Sequence, residues 1–288
     1  MTSLAIMGVG RVGGEVAFLA AAMGLADEII LHDAYTPLLD AQVLDLQHTG
    51  LDIAVSTDTS AMRDADIFVF VAGSPRNPEI KTRADLIEAN LPVAESCSRH
   101  LRGFGGIVIT VTNPMDANNY YLRKAMAIDT SRCIGFGGQL DSARFARFLR
   151  DEGIGGPAWV LGEHGERQVP LFSRLEQQID PHRREGFLER LRSASMEVIR
   201  GKGATTFGPA FHITALIGAI CRDSREVIPC SCVLDGEYGI SGCSLGVPAR
   251  IGREGIIEIE EWELDAWEQE RMQEAGRSVG QLCRRFND

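Results

Sequence analysis

The first 34 residues of the chain alternate between strand-like, turn-like and helix-like segments, and this order restricts the fold more than any other feature. Residues 3–7 form an apolar run of strand length, and residues 15–23 are good helix formers. Between them lies a G-x-G-x-x-G turn with its glycines at Gly8, Gly10 and Gly13. A second apolar run, residues 29–31, ends beside Asp33. Strand, glycine-rich turn, helix and strand in this order predict the first βαβ unit of a parallel sheet.

The three glycines have separate physical roles if this unit binds a dinucleotide. Gly8 permits the tight turn, Gly10 lets backbone amides approach a pyrophosphate, and Gly13 lets the helix pack close to the strand. The N-terminus of the helix adds partial positive charge near the phosphates. A glycine-rich turn in some other α/β protein is the alternative for this motif on its own.

Asp33 indicates which dinucleotide would bind. It follows Gly13 by 20 residues, where a carboxylate can accept hydrogen bonds from both ribose hydroxyls of the adenosine. The same carboxylate repels a 2′-phosphate, and Ala34 and Tyr35 supply no cation to hold one. The sequence therefore favours NAD over NADP.

The alternation continues through two more apolar runs. Residues 65–73 and 106–114 each contain an apolar run, as expected for strands that are buried on both faces of a parallel sheet. A helical segment at residues 82–101 lies between them. We therefore expect an α/β fold whose residues 1–139 form a Rossmann domain with a doubly wound parallel sheet.

The second half of the chain breaks this alternation and predicts a mixed α+β substrate domain over residues 140–288. No Pro/Gly/Ser-rich linker separates the halves, so we expect them to pack as one body. Trp262 and Trp267 are expected to be core or interface residues. Short strands are predicted within residues 226–239 and 243–255, and helices over residues 141–151, 184–202, 209–222 and 265–286.

Charge and cysteine content limit the function classes. The formal charge of −11 argues against nucleic acid or an anionic membrane as the main partner. No apolar run reaches the roughly 20 residues of a membrane span, and no cleavable signal is recognisable. Seven scattered cysteines favour reduced thiols in the cytoplasm over a disulfide framework. Cys230 and Cys232 lack the C-x2-C spacing of zinc sites, so we expect buried strand cysteines and no metal.

Charged and amide side chains stand at the ends of predicted elements. Asn113, in "TNPMD", follows a predicted strand at the edge where open sheets bind ligands, although Asn-Pro is also an ordinary turn signal. Asp141 and Arg144 are three residues apart near a helix start and therefore share a face. They could pair with each other, or Asp141 could orient a histidine while Arg144 binds a carboxylate.

Two loops carry further candidates. Residues 72–86 follow a strand end and contain Arg76 and Arg83 among prolines and asparagines. Such a loop is either a lid over the site or a solvated loop. His164, in "LGEHGE", is one of six histidines. The hexapeptide alone does not distinguish a catalytic histidine from a polar residue in a surface turn.

Taken together, these segments resemble the lactate/malate dehydrogenase family, and within it the lactate-dehydrogenase-like malate dehydrogenases. The resemblance covers nearly the whole chain and rests on "GVGRVG", Asp33, "TNPMD", "LDSARF", "GEHGE" and "KGATTFGPA", in family order and at roughly family spacing. Each motif alone could arise by chance, whereas the ordered set is specific. Glu166 departs from the usual Asp of the family, but the acid is retained and we expect no change in chemistry.

The resemblance implies an NAD-dependent enzyme that transfers a hydride reversibly between malate and oxaloacetate. His164 then donates and accepts the proton, Asp141 fixes its ring, and Arg83 polarises the substrate carbonyl when the lid closes. Arg144 holds the 1-carboxylate. The family also implies a homodimer or homotetramer. Further implied ligands are Asn113 and Thr205 for the substrate, and Gly8, Gly10, Arg11, Val12, Gly13, Asp33, Ala72, Gly73, Asn90, Val111 and Asn113 for NAD.

The choice of substrate depends on one arginine in the lid. A dicarboxylic acid needs a cation opposite its second carboxylate, because an unpaired charge in a pocket is costly. In the malate branch this arginine precedes the carbonyl-polarising one by six residues, whereas Arg76 precedes Arg83 by seven. Counting forward from Gly73 selects Arg76, and counting back from Arg83 selects Asn77. We place the extra residue within residues 78–81, which predicts Arg76 in the pocket and malate as the substrate.

Two other functions stay open. With Asn77 facing the substrate, the chain would be an L-lactate or other 2-hydroxyacid dehydrogenase. An NAD-binding sensor without catalysis would need none of the four polar residues that the family uses in its chemistry. The presence of Arg83, Asp141, Arg144 and His164 argues against such a sensor.

Overall fold

The computed structural model describes residues 2–73 and 83–286 and, in the second range, side chains from residue 85 onward. The described strands are β1 (Ser3–Met7), β2 (Glu28–His32), β3 (Ala54–Ser56), β4 (Ile67–Phe70), β5 (Ile107–Thr110), β6 (Cys133–Gly135), β7 (Val160–Gly162), β8 (Gln168–Pro170), β9 (Val227–Asp235), β10 (Ser241–Gly252) and β11 (Gly255–Ile259). The described helices are α1 (Gly13–Ala22), α2 (Thr36–His48), α3 (Arg83–His100), α4 (Met115–Met126), α5 (Gly138–Asp151), α6 (Pro181–Lys202), α7 (Phe207–Cys221) and α8 (Ala266–Cys283).

The first six strands form a parallel sheet in the order β3-β2-β1-β4-β5-β6. This is the strand order of a doubly wound dinucleotide-binding sheet, and the order reverses between β1 and β4. In such sheets the ligand lies beyond the carboxyl ends of the strands at that reversal. Every residue of β4 and β5 is buried, as strands covered on both faces require. The predicted fold class is confirmed.

The antiparallel strands of the second half extend the same sheet. β9 pairs with β6 through Ser231 and Gly135, and β10 pairs with β9 along most of its length. β7, β8 and β11 attach to β10 or to each other. The expectation of only short strands is wrong here, because β9 and β10 run for 9 and 12 residues. Their long pairing anchors the hairpin of β7 and β8 to the nucleotide-binding half.

Helices α5, α6 and α7 begin before the predicted residue, whereas α8 begins one residue after it. α6 starts at Pro181, a residue suited to the first turn of a helix, and the Asp180 carboxylate accepts from the His182 amide at 2.9 Å. α8 starts at Ala266 behind a capping box between Asp265 and Glu268. α5 starts at Gly138, so the predicted domain boundary after residue 139 falls inside its first turn. That boundary stays a prediction.

One hydrophobic core joins the two halves. Helix α1 of the first half packs against α7 of the second, and Val16, Ala20, Ile213 and Ile217 are all buried in the same cluster. Helix α4 packs against β10 and α8. The expected single body is therefore confirmed by the packing. The two tryptophans pack as expected, Trp262 edge-to-face on another indole and Trp267 on Phe172.

The cysteines and helices of the described ranges bear on two further expectations. Cys230 and Cys232 are buried on β9, as expected. Within residues 2–73 and 83–286, no group of three or more histidine, cysteine or acidic side chains is arranged to hold a metal ion.

In the same ranges no single helix has both the length and the hydropathy to cross a membrane. Helices α6 and α7 pass that test only as a pair, and the direction of the chain bends by 119° between them.

Candidate active site

The glycine turn after β1 has the shape that its sequence predicts. Gly8 has a φ of 96°, and a Cβ there would lie 2.4 Å from the backbone of Ala72. A Cβ at Gly13 would lie 1.9 Å from the carbonyl oxygen of Gly8, so only glycine lets α1 approach β1 this closely. A Cβ at Gly10 would meet no atom within 4 Å. The open side of the turn, at the start of α1, therefore has room for a pyrophosphate beside the helix N-terminus.

Asp33 closes the other side of this turn. Its Oδ2 accepts from the amide of Val9 and its Oδ1 from the amide of Tyr35, both at 2.9 Å. A carboxylate has about four acceptor positions, so two remain for ribose hydroxyls. The side chain is half-buried at the carboxyl end of β2. These residues fit the adenosine end of a dinucleotide.

The predicted NAD ligands after β4 and β5 lie together. Thr112 Oγ1 donates to the carbonyl of Ala72 at 2.7 Å, and Asn90 Nδ2 donates to the carbonyl of Asn113 at 2.9 Å. A Cβ at Gly73 would lie 2.6 Å from Thr112 and 2.8 Å from the Asn90 amide oxygen. Asn90 is buried, whereas Asn113 is exposed. The two loops therefore form one surface at the carboxyl edge of the sheet.

Three other predicted NAD ligands lie around this surface. Val12 is the N-cap of α1 and Val111 is half-buried just after β5. Arg11 is exposed, and its Nη1 donates to the carbonyl of Lys202 at the end of α6 at 3.2 Å. The Arg11 side chain thus contacts the second half of the molecule.

His164 lies in the turn between β7 and β8. The amide of Glu163 donates to the carbonyl of Arg167 at 3.1 Å and closes the hairpin. The histidine ring packs against Gly137, where a Cβ would lie 2.5 Å from Cγ of the imidazole. Its side chain is 18% exposed. A histidine held in this way at a strand end differs from a polar residue in a solvated surface turn.

Asp141 contacts both His164 and Arg144. Its Oδ2 accepts from Nδ1 of His164 at 2.7 Å, and its Oδ1 accepts from Nη1 of Arg144 at 3.1 Å. A carboxylate oxygen accepts and does not donate, so Nδ1 carries the hydrogen and Nε2 is left for a reacting group. The sequence left two interpretations of Asp141 open, an ion pair with Arg144 or a contact that orients a histidine. The structure contains both contacts.

The charges around His164 set its protonation. Burial lowers the pKa of His164, but the charge and hydrogen bond of Asp141, together with the charge of Asp116, raise it above its ordinary 6.5. Burial also raises the pKa of Asp141, and His164 and Arg144 outweigh this effect and bring it below its ordinary range. The pair therefore favours imidazolium beside carboxylate.

The predicted substrate ligands are only partly described. Arg144 lies in the cluster with its side chain 18% exposed, and Thr205 is half-buried in the connection between α6 and α7. Arg76 and Asn77 lie outside the described residues, as does the side chain of Arg83, the first residue of α3. Their proposed contacts stay predictions.

Four residues that the sequence reasoning did not single out complete the surroundings of His164. The Asp116 carboxylate accepts from the His164 amide at 2.9 Å and from Oγ of Ser231 at 2.6 Å. Gln168, buried on β8, lies near Asp141, and Gly137 makes room for the ring. Asp116 belongs to the "TNPMD" motif, which could have drawn attention to it. No local pattern marks Ser231, Gln168 or Gly137, because they reach the site only through the sheet.

Glu166, the departure from the family pattern, lies away from these contacts. Its side chain is exposed, and its carbonyl accepts from Nε of Arg192 at 2.7 Å. The substitution therefore leaves the geometry of His164 and Asp141 intact.

Comparison with known proteins agrees with this arrangement. The family model of the lactate/malate dehydrogenase NAD-binding domain matches residues 2–135, and that of the family's α/β C-terminal domain matches residues 138–282. Malate dehydrogenase of Natronomonas pharaonis is 36% identical over 301 aligned positions, with 97% of each chain covered. L-lactate dehydrogenase of Geobacillus sp. strain WCH70 is 32% identical, with 100% of this chain and 98% of the relative covered.

The structure of malate dehydrogenase from Archaeoglobus fulgidus in complex with NADH superposes with a TM-score of 0.90 at 31% identity, with 100% of both chains covered. The matched N-terminal domain is the NAD-binding domain of its family, and the glycine turn and Asp33 fit that cofactor. The chain belongs to the lactate/malate dehydrogenase family of oxidoreductases, and NAD is its cofactor.

Proposed function

We propose that the chain is a malate dehydrogenase that interconverts malate and oxaloacetate. The observation that carries the proposal is the contact of one buried carboxylate, Asp141, with both a histidine and an arginine at the carboxyl edge of the sheet. NAD, when bound, accepts the hydride from malate or returns it to oxaloacetate. The residues of the chain bind the acid, orient it and move one proton.

His164 Nε2 carries the proton. Nδ1 is held by Asp141, so Nε2 is the nitrogen that donates to the carbonyl oxygen of oxaloacetate and accepts from the hydroxyl of malate. A pKa above 6.5 keeps the imidazolium populated near neutral pH for reduction. Oxidation uses the neutral ring. One histidine thus serves both directions.

Arg144 and Arg83 handle the charge of the substrate. One N–H of Arg144 is used by Asp141, and the others of the guanidinium are proposed to bind the 1-carboxylate through parallel hydrogen bonds. Arg83 is proposed to polarise the carbonyl, and Asn113 and Thr205 to line the pocket. Arg76 is proposed to pair with the second carboxylate, which pyruvate lacks. Without Arg76, the second carboxylate of oxaloacetate would be buried with no opposite charge beside it.

A second candidate is a dehydrogenase for lactate or another 2-hydroxy acid. The seven-residue step from Arg76 to Arg83 favours it if the loop is counted back from Arg83, because Asn77 then faces the substrate. The 32% identity to an L-lactate dehydrogenase is also close to the 36% identity to a malate dehydrogenase. Substrate choice is therefore the point that an assay must decide.

The experiment compares NADH oxidation with oxaloacetate and with pyruvate, for the wild type and for Arg76→Gln and Asn77→Gln. We expect a strong preference for oxaloacetate that is lost in Arg76→Gln and kept in Asn77→Gln. Leaving the second carboxylate unpaired should lower kcat/KM for oxaloacetate roughly 100-fold. A preference for pyruvate, or a loss confined to Asn77→Gln, would contradict the proposal and favour the second candidate.

The same assay with NADPH in place of NADH, at equal concentration, tests the preference for NAD that Asp33 predicts.

Assembly and location are part of the same proposal. Family membership supports a homodimer or homotetramer, which light scattering of the purified protein measures. All seven cysteines are free thiols within the described ranges, and this supports a cytoplasmic location.

A further inference from the structure

Asp116 is a buried carboxylate whose bonds lead to the catalytic histidine. It lies in the first turn of α4 and is 2% exposed. Its Oδ2 accepts from the main-chain amide of His164 at 2.9 Å, and its Oδ1 accepts from Oγ of Ser231 at 2.6 Å. Each oxygen therefore accepts from a donor on a different part of the second half of the chain. The carboxylate ties the turn that carries His164 to α4 and to β9.

A chain of hydrogen bonds runs from Asn119 to Asp116, and at each step the donor lies on the side away from Asp116. Asn119 Nδ2 donates to Oγ of Ser244 at 2.9 Å, and the two serine hydroxyls, of Ser244 and Ser231, lie 2.8 Å apart. Ser231 uses its hydrogen on Asp116, so Ser244 must donate to Ser231. The chain of donors ends at a group that accepts on both oxygens. An ionised carboxylate fits this direction because it only accepts hydrogen bonds, and successive bonds of this kind strengthen one another.

The surroundings of Asp116 keep its charge effective at His164. Ser231, Ser244 and Asn119 are fully buried. A small cleft of about 10 Å³, about the volume of one water molecule, is lined by Asp116, Asp141, His164 and Ser231, among other residues. Charges interact more strongly in such a poorly hydrated interior than in water. Asp116 therefore acts on His164 through its charge as well as through the bond to the His164 amide.

We propose that Asp116 is a positioning residue for His164, which fixes the peptide that carries the imidazole and adds a second buried negative charge that favours the imidazolium. This inference rests on the proposed role of His164 as the proton carrier. Asp141 sets the orientation of the ring, and Asp116 sets the position of its backbone. Asp116, in the first turn of α4, follows Asn113 by three residues. One helix start thus places both the cofactor loop and the catalytic turn.

Other charged and titratable groups surround Asp116 and His164. His164 is faced by Asp141 and Arg144 of α5, and Glu163 lies beside Asp116. Arg167 lies 3.6 Å from Glu163, and Cys243 of β10 and Cys283 of α8 are buried thiols near enough for the charge of Asp116 to act on them. Burial raises the pKa of Asp116 to about 6, while Ser231 and His164 act to lower it. The charge of Asp116 and that of His164 thus support each other around neutral pH.

The test is the titration of His164 followed by NMR of protein labelled with ¹³C at histidine Cε1, with neither cofactor nor substrate. His164→Gln identifies the signal. We expect Asp116→Asn to lower the titration midpoint of His164 by roughly half a unit to one unit, because one nearby opposite charge is removed. Ser231→Ala keeps the carboxylate but removes one donor, so we expect a smaller shift in the same direction.

Glu268→Gln is the matched control. Glu268 is a fully buried carboxylate that accepts from the amide and hydroxyl of Ser173, both at 2.7 Å, away from His164. We expect it to lower thermal stability without moving the His164 titration. A folded Asp116→Asn protein with the wild-type midpoint would overturn the inference. If that variant does not fold, an unchanged midpoint in Ser231→Ala has the same meaning. Because no turnover is measured, a wrong substrate assignment would leave this result unaffected.

Discussion

Nδ1 of His164 lies 2.7 Å from Oδ2 of Asp141, although 23 positions separate the two residues and they belong to different elements. Asp141 is 1% exposed, so this bond forms in an interior where an uncompensated charge is costly. Arg144 on the other oxygen supplies part of the compensation. The three side chains therefore act as one electrostatic unit.

Replacing Asp141 by Asn should remove most of the activity. The amide keeps the shape of the side chain but no longer favours the imidazolium or fixes its Nδ1–H. We expect kcat/KM for reduction of the 2-oxo acid to fall on the order of 100-fold, since a positioned acid–base group contributes about 10²- to 10⁴-fold. Steady-state kinetics with NADH measures it. Asp151→Asn, at the exposed end of the same helix, should retain wild-type rates, and equal rates in both variants would contradict the role of Asp141.

The pH dependence should follow the protonation of His164. Reduction needs the imidazolium, and the pKa is raised above 6.5. We therefore expect kcat/KM for reduction to be constant at low pH and to fall as pH rises through this pKa, with the opposite trend for oxidation. The stability that His164 contributes is present below its unfolded pKa and is lost over the same rise. His182→Gln, a change at the start of α6, should leave the profile in place. Parallel trends for both directions would refute the assignment.

Arg144→Lys should weaken substrate binding while it keeps the charge. A lysine ammonium cannot form the parallel pair of hydrogen bonds that a guanidinium forms with a carboxylate. We expect kcat/KM to fall about 10- to 100-fold, which corresponds to losing a charged hydrogen bond. The matched control is Arg147→Gln, one turn further on, where the side chain is 67% exposed and pairs with Asp151. Unchanged kinetics in Arg144→Lys would place the 1-carboxylate elsewhere.

Two glycine substitutions should separate folding from cofactor binding. Gly13→Ala places a methyl group 1.9 Å from the carbonyl of Gly8, so we expect a loss of about 1–3 kcal/mol in the free energy of unfolding. Gly10→Ala meets no atom within 4 Å. It should leave the melting temperature nearly unchanged but weaken NADH binding about tenfold or more, because the methyl fills space intended for phosphate. Fluorescence titration and thermal denaturation measure the two effects, and equal NADH affinity in Gly10→Ala would argue against the site.

The parts of the fold that could be predicted are those whose signal is local. The turn at Gly8 and the buried runs of β4 and β5 follow from steric and hydrophobic rules within a few residues. β7 and β8 are three residues long, too short for a periodic pattern, and they form because β7 pairs with β10 and β8 pairs with β7. Asp116 and Ser231, separated by 115 positions, meet only through tertiary packing. No rule of spacing reveals such a contact.

The pairing of β6 with β9 has a mechanical consequence. Because both halves of the molecule share one hydrogen-bonded sheet and one core, they cannot rotate apart as two rigid bodies without breaking the bonds that join them. The separation between the glycine turn and His164 is therefore established when the chain folds, rather than by a hinge that moves on ligand binding. A molecule built in this way is expected to unfold in a single cooperative transition, in which the capacity to bind NAD and the geometry of the proton carrier disappear together.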